Sequence, residues 1–154
     1  MKNCEVLLPR ALAFQADDKD VQRELESVEE YLQSIDFGDE ETLHVVLLRG
    51  IYHDFEKRMT TVIAFVNKLP RSICEIHCKI HFSPDMDGVQ IANMTVDFDR
   101  DFMGNIDRNE AVLAHFNIPV KGLTEDRDFT NKEIKYSVED TRVTYVEDRD
   151  EEDN

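Results

Sequence analysis

The chain has 154 residues, with 34 Asp and Glu against 18 Lys and Arg, for a formal net charge of −16. That balance excludes a surface built to neutralise nucleic-acid phosphates or to lie on an anionic bilayer, because both require clustered cations. At 41% hydrophobic residues and no Trp, the length is that of one domain with a modest core.

The first segment, residues 5–14, carries Val6, Leu7, Leu8, Leu12 and Phe14 around Pro9. It reads as an extended piece at a sheet edge, since proline cannot donate to a central ladder. Asp17 or Asp18 can then cap a helix over about residues 18–35, in which Val21, Leu25, Val28, Leu32 and Ile35 form an apolar stripe opposite a charged face. Gly38 is expected to end it. Two heptads are too few for a coiled coil, so the helix should cover its own domain.

From Leu43 the apolar period falls from helical to two. Residues 43–52 and 59–66 are rich in Val, Leu and Ile and read as strands. In residues 73–82, Cys74, Ile76, Cys78, Ile80 and Phe82 alternate with Glu75, His77, Lys79 and His81, one face for core and one for water. A turn over residues 83–88 leads to Ala92, Met94, Val96 and Phe98, again alternating with polar residues, which predicts a long hairpin. Residues 111–120 and 133–145 supply two more strands. Residues 147–154 (EDRDEEDN) have almost nothing to bury and are expected to be disordered. Six or seven short strands after one helix predict a mainly β fold: an antiparallel immunoglobulin-like β-sandwich with one N-terminal amphipathic helix, a single domain over residues 1–146.

No run approaches the roughly 18 apolar residues of a membrane span, and Glu5, Pro9 and Arg10 interrupt the only apolar stretch near the N-terminus that resembles a signal segment. The three cysteines, Cys4, Cys74 and Cys78, are no disulfide framework. On one strand Cys74 and Cys78 lie about 13 Å apart at ~3.3 Å per residue, beyond the ~7 Å a bridge allows. Reduced thiols in a cytoplasmic protein follow.

Two chemistries can be tested on the residues. Two Cys and two His within residues 74–81 suggest zinc, but strand alternation sends the thiols to one face and the imidazoles to the other. Residues 99–110 meet an EF-hand calcium loop at Asp99, Asp101, Gly104, Ile106 and Glu110, while Met103 stands where the fifth-position ligand belongs and the entering segment alternates like a strand. The expectation is an ordinary acidic loop whose weak calcium candidates are Asp99, Asp101, Asp107 and Glu110. His44, His53 and His115 are scattered, and neither a G-x-S-x-G turn nor a glycine-rich phosphate loop occurs, so the chain has no catalytic constellation and implies no cofactor.

The run VVLLRGIYHDFEKRMTTVIAF at residues 45–65, Val66-Asn67-Lys68-Leu69, and Gln90-Ile91-Ala92 leading to Val96-Asp97-Phe98, Phe102, Gly104 and Ile106 resemble the SLAP domain, found in S-layer assembly and accessory secretion systems of Gram-positive bacteria. The likeness spans roughly residues 43–119. Ala64-Phe65-Val66-Asn67 matches the family's Ala-Phe-x-Arg-Asn-like motif in part, lacking its Arg. The resemblance implies a small non-enzymatic adaptor domain, on the cytoplasmic side, with a protein partner. Two other readings stand beside it: calcium binding by the 99–110 loop, and an acidic decoy for a basic partner. Against the decoy, residues 43–96 are close to charge balance, the acidity lying in the helix region, the later loops and the tail.

Overall fold

The computed structural model describes residues 4–152. Its elements are the strands β1 (Glu5–Leu7), β2 (Leu43–His53), β3 (Arg58–Asn67), β4 (Ile73–Pro84), β5 (Gln90–Ile91), β6 (Met94–Phe98), β7 (Glu110–Lys121), β8 (Arg127–Thr130) and β9 (Ile134–Tyr145). The helices are α1 (Lys19–Gln33), α2 (Arg100–Met103) and α3 (Val146–Glu152), with a 3-10 helix over Arg10–Asp17. The larger sheet runs β1-β7-β3-β2-β8, with β5 also on β7, and the smaller runs β6-β4-β9. The fold is therefore mixed, mostly strands in two sheets, with an N-terminal helix.

The two sheets enclose the main core. Phe65, Ile63, Met59, Ile76, Ile80, Val96 and Ile106 are among its buried members. A second apolar cluster lies on the other side of the larger sheet, where Val28 and Leu32 of α1 meet Val62, Ala64, Val66, Ala111, Leu113, Cys4 and Val6. β3 therefore has helix on one face and sheet on the other. This explains why its sequence is a continuous apolar run rather than an alternating one. By contrast β4, with solvent on its outer face, follows the predicted alternation: Ile76, Cys78, Ile80 and Phe82 are buried while Glu75, His77, Lys79 and His81 are not.

Helix α1 starts on Asp18, whose Oδ1 accepts the backbone N–H of Asp20 (2.8 Å) and Val21 (3.3 Å), leaving two fewer orphan donors in the first turn. Its end is earlier than expected. Ser34 hydroxyl donates to the Tyr31 carbonyl (2.6 Å), and Gly38 (φ +69°) sits in the following turn rather than terminating the helix.

Four further expectations are corrected. The sheets are not wholly antiparallel, because β1 pairs β7 in parallel. The hairpin of β4 and β6 forms in the expected antiparallel register, Ile76 opposite Phe98 and Ile80 opposite Met94, but its connection is longer than a turn: Gln90 and Ile91 cross to the larger sheet and pair with Lys121 and Val120. There the turn before β5 meets the turn after β7 so closely that a Cβ on Gly122 (φ +98°) would stand 2.0 Å from the Gly88 carbonyl oxygen. Strand β8 was unforeseen, since only Phe129 of its four residues is buried, too short a pattern for a period to show. Finally, residues 147–152 belong to α3 rather than to a disordered tail; residues 153–154 lie outside the described residues. Cations from the body of the fold hold this acidic helix. Arg71 reaches Glu147 (3.3 Å) and Arg100 reaches Asp150 (2.7 Å), while the Val146 N–H donates to the Ser72 carbonyl (3.0 Å). Its Glu147 and Asp148 also sit in the first turn, where carboxylates oppose the helix dipole favourably.

Candidate interaction surfaces

Three of the four calcium candidates are turned to structural use. Asp99 caps α2, its Oδ1 accepting the Phe102 N–H (2.8 Å). Asp107 accepts the Ser72 hydroxyl, and Glu110 Oε1 accepts the Asp107 N–H (2.7 Å), so the loop is closed by its own carboxylates. Burial pushes the Glu110 carboxyl above its ordinary value. Asp101 is exposed. Gly104 adopts φ +79° as an EF-hand glycine would, but Met103 and Ile106 on either side of it are core residues. Among the described residues no three His, Cys, Asp or Glu side chains gather to hold a metal ion.

The thiols and imidazoles of β4 separate as strand geometry requires. Cys4, Cys74 and Cys78 are free and buried. Burial raises all three thiols, Cys4 and Cys78 to about 11, so little thiolate exists at neutral pH. On the solvent face His77 Nδ1 pairs with Asp97 of β6, and His81 Nε2 lies 3.2 Å from Glu139 of β9.

A bridge that no motif announced crosses the outer face of the larger sheet. Arg49, Val62 and His115 stand in one row on β2, β3 and β7. Above Val62, Glu24 of α1 reaches both ends: Oε2 to Arg49 Nη2 at 3.2 Å and Oε1 to His115 Nε2 at 2.7 Å. The side chain is 22% exposed. The His115 hydrogen bond leads in holding the Glu24 carboxyl below its ordinary value, partly offset by burial, with His115 and Arg49 charge assisting. A carboxyl pKa lowered on folding stabilises the fold above its unfolded pKa, and that contribution is lost as pH falls through the folded pKa. Glu24→Gln should therefore cost about 0.5–1 kcal/mol at pH 7, and the difference should shrink as pH falls below the ordinary glutamate range and through the lowered folded pKa, measured by urea unfolding at pH 7 and at acid pH. Only the fold could reveal this trio, which joins residues 25 and 66 positions apart.

Beside the bridge, a cleft of about 790 Å³ opens between α1 and the sheet, lined by Arg23, Glu24, Val28, Tyr31, Arg49 and Phe129 among others. A smaller one of about 480 Å³ continues past Tyr31 to Phe37, His44 and Tyr136.

The strand edges differ sharply in how they are covered. Along the first half of β2 the edge is closed by a side chain: the Tyr136 hydroxyl accepts the Leu47 N–H (3.1 Å) and donates to the Val45 carbonyl (2.9 Å). β1, β6 and β8 are edge strands of three to five residues, and β7 carries β1 and β5 at its two ends. β9 is different. Its 12 residues pair with β4 on one side only, and its inward side chains Tyr136, Val138, Val143 and Tyr145 are only partly buried although they pack against the core. The sequence showed the strand but not its place at the end of a sheet.

At the far end of the molecule the β2–β3 hairpin lifts Phe55 to full, 100% exposure. Asp54 steadies that tip through Lys57 Nζ (2.6 Å), the Tyr52 hydroxyl (3.1 Å) and its own N–H to Asp126 (2.8 Å).

No helix among the described residues is long and apolar enough to cross a membrane. Compared with known proteins, the chain matches no family model, no curated protein and no solved structure.

Proposed function

We propose that this chain is a non-enzymatic protein-interaction module that binds an extended protein segment along the free edge of β9. The observation carrying the reading is the edge itself: a 12-residue strand whose second side pairs with no strand among the described residues and an inward apolar row incompletely covered. An added strand would pair that backbone and cover that row together, as in strand addition at other sheet edges.

The immunoglobulin-like reading supports the same place. On that reading β2, β3 and β7 would stand as A, B and E and β6, β4 and β9 as C′, C and F, while β1, first in the chain and parallel to β7, takes the edge place of D out of chain order and β8 is an addition beyond β2. In that correspondence the position of strand G lies directly beyond β9. The SLAP-like segments, residues 43–119, form most of the two sheets, and an accessory role in protein export or S-layer assembly is proposed on that resemblance alone.

The test is a selection of extended peptides from a random displayed library, followed by NMR mapping on the full chain. Selected peptides are expected to shift amide resonances of residues 134–145 and to lose at least tenfold in affinity to Val138→Lys with Val143→Lys. Peptides that map to the cleft beneath α1, or to the Phe55 hairpin, would overturn the reading.

A further inference from the structure

We infer that the segment occupying the β9 edge is β9 of a second copy of this chain, paired antiparallel about a two-fold axis to join the two smaller sheets into one. The inference rests on the edge-binding reading above and adds the identity of the occupant.

It follows from the order of side chains along the strand. The β4–β9 ladder carries two irregularities: at one the extra residue is on β4, between Ile73 and Glu75, and at the other it is on β9, between Glu139 and Arg142, where three steps on β9 oppose two on β4 and Asp140 takes φ +53°. Before it the inward residues are Ile134, Tyr136 and Val138; after it they are Val143 and Tyr145. An antiparallel second copy centred on this irregularity places Val138 opposite Val143 and Tyr136 opposite Tyr145, each twice by symmetry. Inward faces inward on both sides of the bulge. On the solvent face the same register sets Ser137 opposite Thr144 and Glu139 opposite Arg142, again twice. Directly opposed pairs of these kinds are the unit of sheet stabilisation, and in a two-fold interface every favourable pair is repeated.

The charges agree. A net charge of −16 per chain opposes self-association in general, but residues 134–145 carry Lys135 and Arg142 against Glu139 and Asp140, a locally balanced strip. Arg142 is exposed, and among the described residues no carboxylate pairs with it, whereas Glu139 and Asp140 already face His81 and Lys79. Charged residues and bulges normally guard an edge against chance pairing. Here the guards that repel other strands match when β9 meets itself.

Sedimentation equilibrium of the full chain from 1 to 500 μM tests this. The parent is expected to dimerise reversibly from its 18.0 kDa monomer, and Glu139→Arg or Arg142→Glu alone to weaken dimerisation by about tenfold or more. The double variant Glu139→Arg with Arg142→Glu is expected to return to within about threefold of the parent. The register is read separately by mixing Ser137→Cys with Thr144→Cys chains under mild oxidation, which should yield the mixed disulfide dimer in preference to either homodimer. A chain monomeric throughout, or single variants dimerising like the parent, overturns the inference. If the chain is monomeric while selected peptides still map to residues 134–145, the edge reading stands without the second copy; if the peptides map elsewhere, the edge reading has failed first.

Discussion

Phe65→Ala is expected to lower the unfolding free energy by about 4 kcal/mol, the middle of the range for truncating a buried phenylalanine. Phe65 has no exposed surface. Its ring meets Phe98 of β6 edge-on at 5.3 Å and Phe116 of β7 at 6.3 Å, and Phe98 in turn contacts Phe102 at 5.0 Å and stacks on Phe116 at 5.9 Å. The four rings join both sheets and α2, so the cavity left by one is walled by elements that cannot close independently. At roughly 2–4 °C per kcal/mol for a chain of this size, the melting temperature should fall by about 8–16 °C. A fall of under ~2 °C would mean that the ring cluster is not the joint between the sheets. Phe65→Leu, which keeps much of the volume, should recover more than half of the loss.

Asn67→Ala, two residues along the same strand, is expected to cost about 3 kcal/mol for a different reason. Asn67 is fully buried and polar. Its Nδ2 donates to the carbonyls of Ile106 (2.9 Å) and Arg71 (3.1 Å), and its Oδ1 accepts the Leu69 N–H (2.9 Å). One amide thus satisfies three backbone groups from two loops, and its own carbonyl takes the Asn109 N–H (2.8 Å). Removing it leaves the half-buried Leu69 N–H and the Arg71 carbonyl without this partner and takes from the buried Ile106 carbonyl one of its two donors, the Ile73 N–H (3.0 Å) remaining; a buried group left short costs about 1–3 kcal/mol. Asn67→Asp is the sharper probe, since it preserves size and the acceptor but removes both donors and places a charge where no water reaches. It should destabilise at least as much as alanine at pH 7. Thermal unfolding of both variants checks the pair, and unchanged melting in either would mean that Asn67 is not the clasp between β3 and the loop that holds Asp107.

These two residues also show how a motif and a structure divide the work. Phe65 and Asn67 lie in the segment likened from its sequence to the SLAP domain, a likeness no family model matches, and in the fold they serve as core and clasp. The letters that suggested that likeness are those of residues that shape the sheets. Residues that could meet a partner, Glu139 and Arg142 on β9 or Phe55 on its hairpin, sit at an edge or a tip, where composition and period are silent about role.

The calcium reading illustrates the opposite limit. Five positions of the 99–110 loop fit the pattern as letters. Direction was missing: Asp99 turns to cap α2, Asp107 to Ser72, and Glu110 back to the loop backbone. A spacing rule records which residue types occur, whereas ligation needs their oxygens to converge, and convergence depends on φ and ψ through the loop.

By itself the sequence determined the amphipathic helix, six of the strands, the sidedness of β4 and the separation of its thiols from its imidazoles, because each depends on a local period set by the backbone's 3.6- or 2-residue repeat. Only the tertiary structure decided the parallel docking of β1, the crossing of β5, the existence of β8 and the helical state of α3, where partners far along the chain supply the hydrogen bonds or charges. The net charge of −16 likewise fixed what the surface is not, but not where it is neutral. That β9 ends its sheet with a balanced, half-covered edge is a property of strand order, and strand order is set by contacts between residues that no local pattern joins.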